Sequence, residues 1–159
     1  YESVVLQFKK VGIFDLAENI PVRLVNIHQL NQEAGDLSHA KLKGCTQIKT
    51  VNITDQLENK FYISILSGIP RIEFESVLSH ELLHIWLYQN HIKLSPETEE
   101  GFCNLGRYLI YQNDQTHFAT IHLQAMENDP DPIYGIEYRK MKTKLEQIGW
   151  KNLILYLLN

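Results

Sequence analysis

The chain is poor in cysteine, with only Cys45 and Cys103 among 159 residues. They do not stand in a Cys-x-x-Cys or zinc-ribbon spacing, so no cysteine-based metal site is built here. One disulfide between them is conceivable, but two free thiols are expected. No apolar run approaches the roughly 18 residues that a membrane span requires, and no secretion signal precedes the first polar residues. A cytoplasmic location is the expectation, for a chain that starts at Tyr1 rather than Met and can be a piece of something longer. Runs of Lys and Arg are missing as well. The lysines are scattered and the net charge is −4, which excludes nucleic acid as the natural partner. Repeats, low-complexity tracts and Gly/Ser linkers are also absent, which leaves a single domain over residues 1–159, long enough to bury a core without staples.

What is present changes character near residue 68. Residues 1–66 read as mixed strand and turn: 21–27 is rich in β-branched residues, 45–53 alternates in part, and Phe61–Leu66 is the strongest strand signal. The polar stretch from Asn31 to Gly44 reads as loop. After Pro70, Val77, Leu78, Leu82, Ile85 and Trp86 recur at helical spacing and predict an amphipathic helix over 71–89. Ser95-Pro96-Glu97 opens a second helix to about Gln112, with Ser95 as N-cap and Pro96 in the first turn. Asp114 is expected to cap a third helix ending near Asn128. Asp129-Pro130-Asp131-Pro132 breaks the chain, and helices follow over about 134–148 and 150–158. Strands first and helices after predict an α+β fold, with a strand-rich part at 1–68 and a helical part at 69–159.

The chemistry sits in His80-Glu81-Leu82-Leu83-His84. On a helix, positions i and i+4 share a face, so both imidazoles can reach one metal ion. Glu81 stands beside that ion rather than on it, placed to take a proton from the attacking water, which zinc activates. The bland alternative is a pair of core histidines satisfied by backbone partners. A catalytic zinc site takes a third protein ligand. Asn90 stands where the third His of the metzincin pattern belongs, so a carboxylate of the second helix is the better source. Glu100 is favoured, because it lies a turn into the helix and Gly101 beside it lets two helices approach closely. Glu97 is the fallback, and Glu99 is expected to point elsewhere.

These segments carry a resemblance. Gly68-Ile69-Pro70-Arg71, Ser79 to Leu87, Leu94-Ser95-Pro96-Glu97, Glu99-Glu100-Gly101-Phe102-Cys103 and Asp131 to Arg139 together resemble the peptidase domain of the plant LIM-domain growth regulators, the "DA-one" ubiquitin-activated peptidases. The resemblance implies a zincin-like, gluzincin-type metallopeptidase. It would hold one zinc on His80, His84 and Glu100, use Glu81 as general base, and cut protein or peptide substrates at limited sites. Any link to ubiquitin rests on this resemblance alone, since two cysteines cannot build a LIM domain. Tyr134 and Arg139 match recurrent positions of the family. Tyr134, aimed by a Pro-containing turn and flanked by Gly135, is the candidate for stabilising the oxyanion, with His117, His122 and Arg139 as others. Arg139 can instead pair with a carboxylate such as Glu137. By analogy with zincins, Phe61–Ser67 is expected to be an edge strand lining the cleft, with Tyr62 and Ser64 contacting substrate. The competing function is a zinc-binding but catalytically silent protein-interaction domain.

Overall fold

Val4 and Phe8 stand four apart, and Glu2–Val11 coils into a helix, α1, that buries both of them and ends at Gly12 in the left-handed region (φ 92). The computed structural model, which describes residues 1–17, 20–35, 42–53 and 56–159, therefore begins with a helix where strand and turn are expected. A short strand follows, β1 (Val22–Val25), then a second unexpected helix, α2 (Ile27–Ala34). A reciprocal cap starts α2: Asn26 Oδ1 accepts from Gln29 N–H at 3.0 Å, and Gln29 Oε1 accepts from Asn26 N–H at 3.2 Å. Residues 31–34 of the expected loop are thus helical, and 36–41 lie outside the described residues.

Strands β2 (Gly44–Ile53) and β3 (Gln56–Leu66) complete a three-stranded sheet of order β1-β3-β2. β1 runs parallel to β3 and β2 antiparallel to it. Paired residues share a face, so Gly44, Thr46, Ile63 and Ile65 look one way and Cys45, Gln47, Tyr62 and Ser64 the other. The first face packs on the helix α3 (Arg71–Gln89), and the second lies against α2, where Gln47 donates to the Glu33 carbonyl.

α3 has the bounds its pattern predicts, but it is buried almost all round rather than amphipathic. The sheet covers one side and α4 (Pro96–Gln112) another, with α1 closing a third. Leu78, Leu82, Leu83 and Ile85 are fully buried, each stabilising the fold by about 1.5–3 kcal/mol. The buried hydroxyls are satisfied locally: Ser76 donates to the Tyr111 hydroxyl or its own turn, and Ser79 to the Ser76 carbonyl. Trp86 donates its indole N–H to the Phe14 carbonyl, pinning the connection after α1. Ser95 caps α4, accepting from Thr98 N–H. The cap of α5 (His117–Asn128) is Thr116 instead of Asp114, whose carboxylate accepts from Thr116 N–H just before it. A π-helical turn (Pro132–Glu137) then leads into α6 (Tyr138–Leu158), which Gly149 interrupts at φ 75 and ψ 163 where two helices are expected. Among the described residues, no helix is long and apolar enough to cross a membrane. The architecture is mixed α+β, a small sheet followed by helices, with helices also inserted before and within the sheet.

Candidate metal centre

The helical repeat of α3 stacks His80 and His84 with ring centroids 4.9 Å apart and their Nε2 atoms 3.2 Å apart. From α4, Glu100 places Oε2 3.2 Å from His80 Nε2 and Oε1 3.5 Å from His84 Nε2. One ligand atom from each of the three residues lies within 4.8 Å of the others, a group that could hold a metal ion. The donor chemistry fits one. Glu99 Oε1 sits 2.8 Å from His84 Nδ1, which places a proton on that nitrogen and turns Nε2 towards His80 and Glu100 as the ligand atom that a metal would take in place of a proton. Glu100 Oε2 is buried without a well-formed hydrogen bond, its contact with His80 being an ion-pair approach only. Two imidazoles and a carboxylate are ordinary ligands of a divalent transition metal.

The electrostatics express the same demand for positive charge. Burial alone pushes the His84 pKa down, but the Cys103 thiol, Glu99 and Glu81 outweigh it and hold the ring well above its ordinary value. Burial likewise pushes Glu100 up, yet its close contact and charge interaction with His80, with His84 behind, bring it below the usual carboxylate range. Cys103 is fully buried against His84, and burial raises its thiol to about 11. Both cysteines are free, and Cys45 is raised to about 11 by burial and then by Glu81.

Glu99, expected to point elsewhere, instead holds His84 from behind. Neighbouring helix positions differ by about a quarter turn, and α3 crosses α4 so that the carboxylates of Glu99 and Glu100 bracket the same ring. Such a partner fixes ring and tautomer, and Glu99→Ala is expected to weaken metal affinity about 10–100-fold with all three ligands intact, as read by competition titration. Glu97 is exposed in the first turn, its carboxylate lowered by its own backbone N–H and by Ser95, and it does not join the cluster.

Glu81 is 6% exposed and its carboxylate is held by β2: Thr46 Oγ1 donates to Oε2 at 2.7 Å. Gly44, two residues earlier, gives it room, for a Cβ there would stand 2.5 Å from Glu81 Oε1 and 2.5 Å from Val77 Cγ1. β2, not β3, is therefore the strand beside the site. β3 carries β1 on its other edge over Ile63–Leu66, so that part cannot add a further strand, while β2 is paired on one edge only among the described residues. Tyr62 and Ser64 face away from α3: Ser64 is buried and accepts from Arg23, and Tyr62 lies under Lys49. Neither lines the cavity next to Glu81.

That cavity, about 450 Å³, opens between α3, α4, α5 and the π-helical turn, and His80, Glu81 and Tyr134 all line it. Tyr134 is brought there by Asp131, whose Oδ1 accepts from both Ile133 and Tyr134 N–H. Its phenol is pushed upward by burial, then by Glu100 and Asp131. His122 also lines the cavity, stacked on Tyr111, whereas His117 opens α5 at the surface. Arg139 does not pair with Glu137; it donates to the carbonyls of Glu127 and Asp129 and secures the end of α5. The glycine roles also differ from expectation. A Cβ at Gly101 would lie 2.8 Å from the backbone of Glu137, and the close approach of α3 and α4 is made by Gly106, where a Cβ would lie 2.9 Å from the Ser79 carbonyl. At Gly135 a Cβ would lie 2.0 Å from the Asp129 carbonyl oxygen. Gly135→Ala is expected to cost about 1–3 kcal/mol, measured by denaturant unfolding, and to displace Tyr134.

Glu99 was expected elsewhere, and no site role was expected of Thr46, Gly44, Asn104 and Arg107. The last two share a face of α4 with Glu100, spaced by four and seven residues, and that spacing was the available signal.

The DA1-like family model, described as Protein DA1, matches residues 38–122, more than half of the chain. Protein DA1-related 1 of Arabidopsis thaliana is 48% identical over 60 residues, which is 37% of this chain and 11% of that protein. Protein DA1-related 2 of the same plant is 40% identical over 53 residues, 33% of this chain and 10% of that protein. The LIM domain-containing protein HDR3 of Oryza sativa subsp. japonica is also 40% identical over 53 residues, and 11% of it is covered. The matched stretch thus spans about a tenth of these relatives' length. No solved structure matches. The family match runs through His80, Glu81, His84, Glu99 and Glu100 and so takes in the whole of the candidate metal cluster, and with more than half of its length matched the chain belongs to the DA1-like family.

Proposed function

We propose that the chain is a zincin-like metallopeptidase domain that binds one zinc ion through His80, His84 and Glu100 and hydrolyses peptide bonds of protein substrates. The observation that carries this reading is the buried carboxylate of Glu81, held by Thr46 beside the three-ligand cluster and lining the same cavity. Two His and one Glu leave a coordination position open, as catalytic zinc sites do. When bound, zinc supplies a Lewis acid for the substrate carbonyl and the attacking water. Glu81 takes the proton from that water and passes it to the leaving amine. Thr46 occupies one carboxylate oxygen and leaves the other to do this. Tyr134, a protonated phenol at neutral pH whose pKa burial raises further, can donate a hydrogen bond to the oxyanion as it forms. An extended substrate would add to the unpaired edge of β2 next to Gly44.

A second reading, a silent zinc-binding interaction domain, shares the ligands but gives Glu81 no role. Casein digestion separates the two. Cleavage that a chelator abolishes and added zinc restores supports the peptidase. A zinc-loaded chain that leaves casein intact, with and without added ubiquitin, favours the silent domain. The ubiquitin arm also tests the activation that the family resemblance suggests, and a cytoplasmic site of action belongs to the same proposal.

A further inference from the structure

Asn104 lies on α4 one turn beyond Glu100, and positions four apart share a helix face. It is 2% exposed, and its Nδ2 donates to the Tyr134 carbonyl at 3.2 Å. Its Oδ1 is buried with no donor among the described residues. An amide only half matched in the interior costs stability, which an apolar side chain of the same shape would not. Local packing rules are broken in this way mainly where a side chain serves function. The matched half of Asn104 reaches the turn that carries Tyr134. Within that turn, Asp131 accepts from the Ile133 and Tyr134 N–H groups, and bonds so local set its shape but not its place. Arg139 donates to the Glu127 and Asp129 carbonyls and ties the root of the turn to α5. Towards α4 the turn closes on Gly101, where a Cβ would lie 2.8 Å from the Glu137 backbone. That contact is three residues beyond Tyr134 and has no direction. The hydrogen bond from Asn104 has one, and it falls on Tyr134 itself.

We propose that Asn104 is a positioning residue, which holds Tyr134 at a fixed place against α4, the helix that supplies Glu100. The proposal rests on the peptidase reading and on Tyr134 as its oxyanion donor. Such a donor has to stand about 2.7–3.1 Å from the oxygen as its charge develops. A misplacement of about 1 Å costs about 10²-fold in rate. Tyr134 is 39% exposed, so packing around its ring does not fix it, and its backbone has to. Because the oxyanion exists only beyond the ground state, the effect of Asn104 falls on kcat and leaves KM alone. Asn104 is outside the ligand cluster, so metal content does not depend on it.

The test is a double-mutant cycle on the whole zinc-loaded chain, with casein as substrate. Tyr134→Phe is expected to lose about 10²–10³-fold in kcat, as removal of one oxyanion donor does. Asn104→Leu is expected to lose about 10–10²-fold in kcat, with KM, zinc content and Tm near wild type. Added to Tyr134→Phe, it should cost nothing further, because it acts through a phenol that is gone. Asn104→Ala repeats the cycle should Asn104→Leu fail to fold. Hydrogen exchange gives a reading free of catalysis: the amides of Ile133 to Ile136 should exchange faster in Asn104→Leu, with or without zinc. Wild-type kcat in Asn104→Leu, an equal loss in both backgrounds, unchanged exchange, or failure of both Asn104 variants to fold overturns the proposal. Wild-type kcat in Tyr134→Phe takes the phenol out of the reaction and the proposal with it, while the peptidase reading stands. Casein left intact by the wild type sinks the peptidase reading, and the exchange rates alone then decide whether Asn104 places the turn.

Discussion

Glu81→Gln is expected to retain its metal and to lose about 10²–10⁴-fold in kcat, the range a positioned general base supplies. The glutamine side chain has the same length, and its amide oxygen can still accept from Thr46 at the position where Oε2 now sits 2.7 Å away. Packing against Gly44 and Val77 is preserved, because no heavy atom is added to a space too tight for a Cβ. The ligand cluster does not include Glu81, so metal content should match wild type. The variant lacks only the ability to take a proton from water. An unchanged kcat would assign the base elsewhere. Loss of metal along with activity would mean that Glu81 is itself a ligand.

Glu100→Ala should act through the metal. It leaves two imidazoles whose Nε2 atoms face one another at 3.2 Å with no carboxylate between the helices to complete the set. Metal affinity should fall by more than the roughly 10–100-fold expected when a partner behind a ligand is removed. Hydrolysis should fall with it. Thermal unfolding gives an independent reading. With free zinc at a hundred times its Kd, the wild-type chain gains about 2.7 kcal/mol of stability from binding, and the variant at the same zinc concentration should gain little of it. Equal zinc-dependent stabilisation of both chains would show that Glu100 is not a ligand.

What could be read in advance divides along physical lines. The bounds of α3 and α4 were legible because local chemistry sets them: Pro70 and the Ser95-Pro96 pair at the starts, and sustained apolar spacing between. The break at Asp129–Pro132 was equally local. Helix α1 was missed although Val4, Phe8 and Gly12 mark its face and its end, and α2 although Asn26 and Gln29 form its capping box. α1 fell in the part read as strand and turn, and the second half of α2 in the polar stretch read as loop, yet each helix buries an apolar face, Val4 and Phe8 in one and Leu30 in the other. The position of β3 in the sheet was of another kind. Strand order depends on which distant segments pair, and nothing local to Phe61–Leu66 tells a central strand from an edge. Tyr62 and Ser64 accordingly lie on the far face of the sheet, while Gly44 and Thr46 of β2 stand beside Glu81. The placement of Glu99 fell between the two cases. Its helix was legible, but which of two adjacent carboxylates meets His84 depends on how α4 crosses α3, and both do.

The most direct test of the central claim is the metal content of the whole purified chain, loaded with zinc and dialysed against metal-free buffer. The account predicts about one zinc per wild-type chain, kept by Glu81→Gln and lost from Glu100→Ala. A wild-type chain that keeps no zinc after loading would contradict it and return His80, His84 and Glu100 to a hydrogen-bonded core.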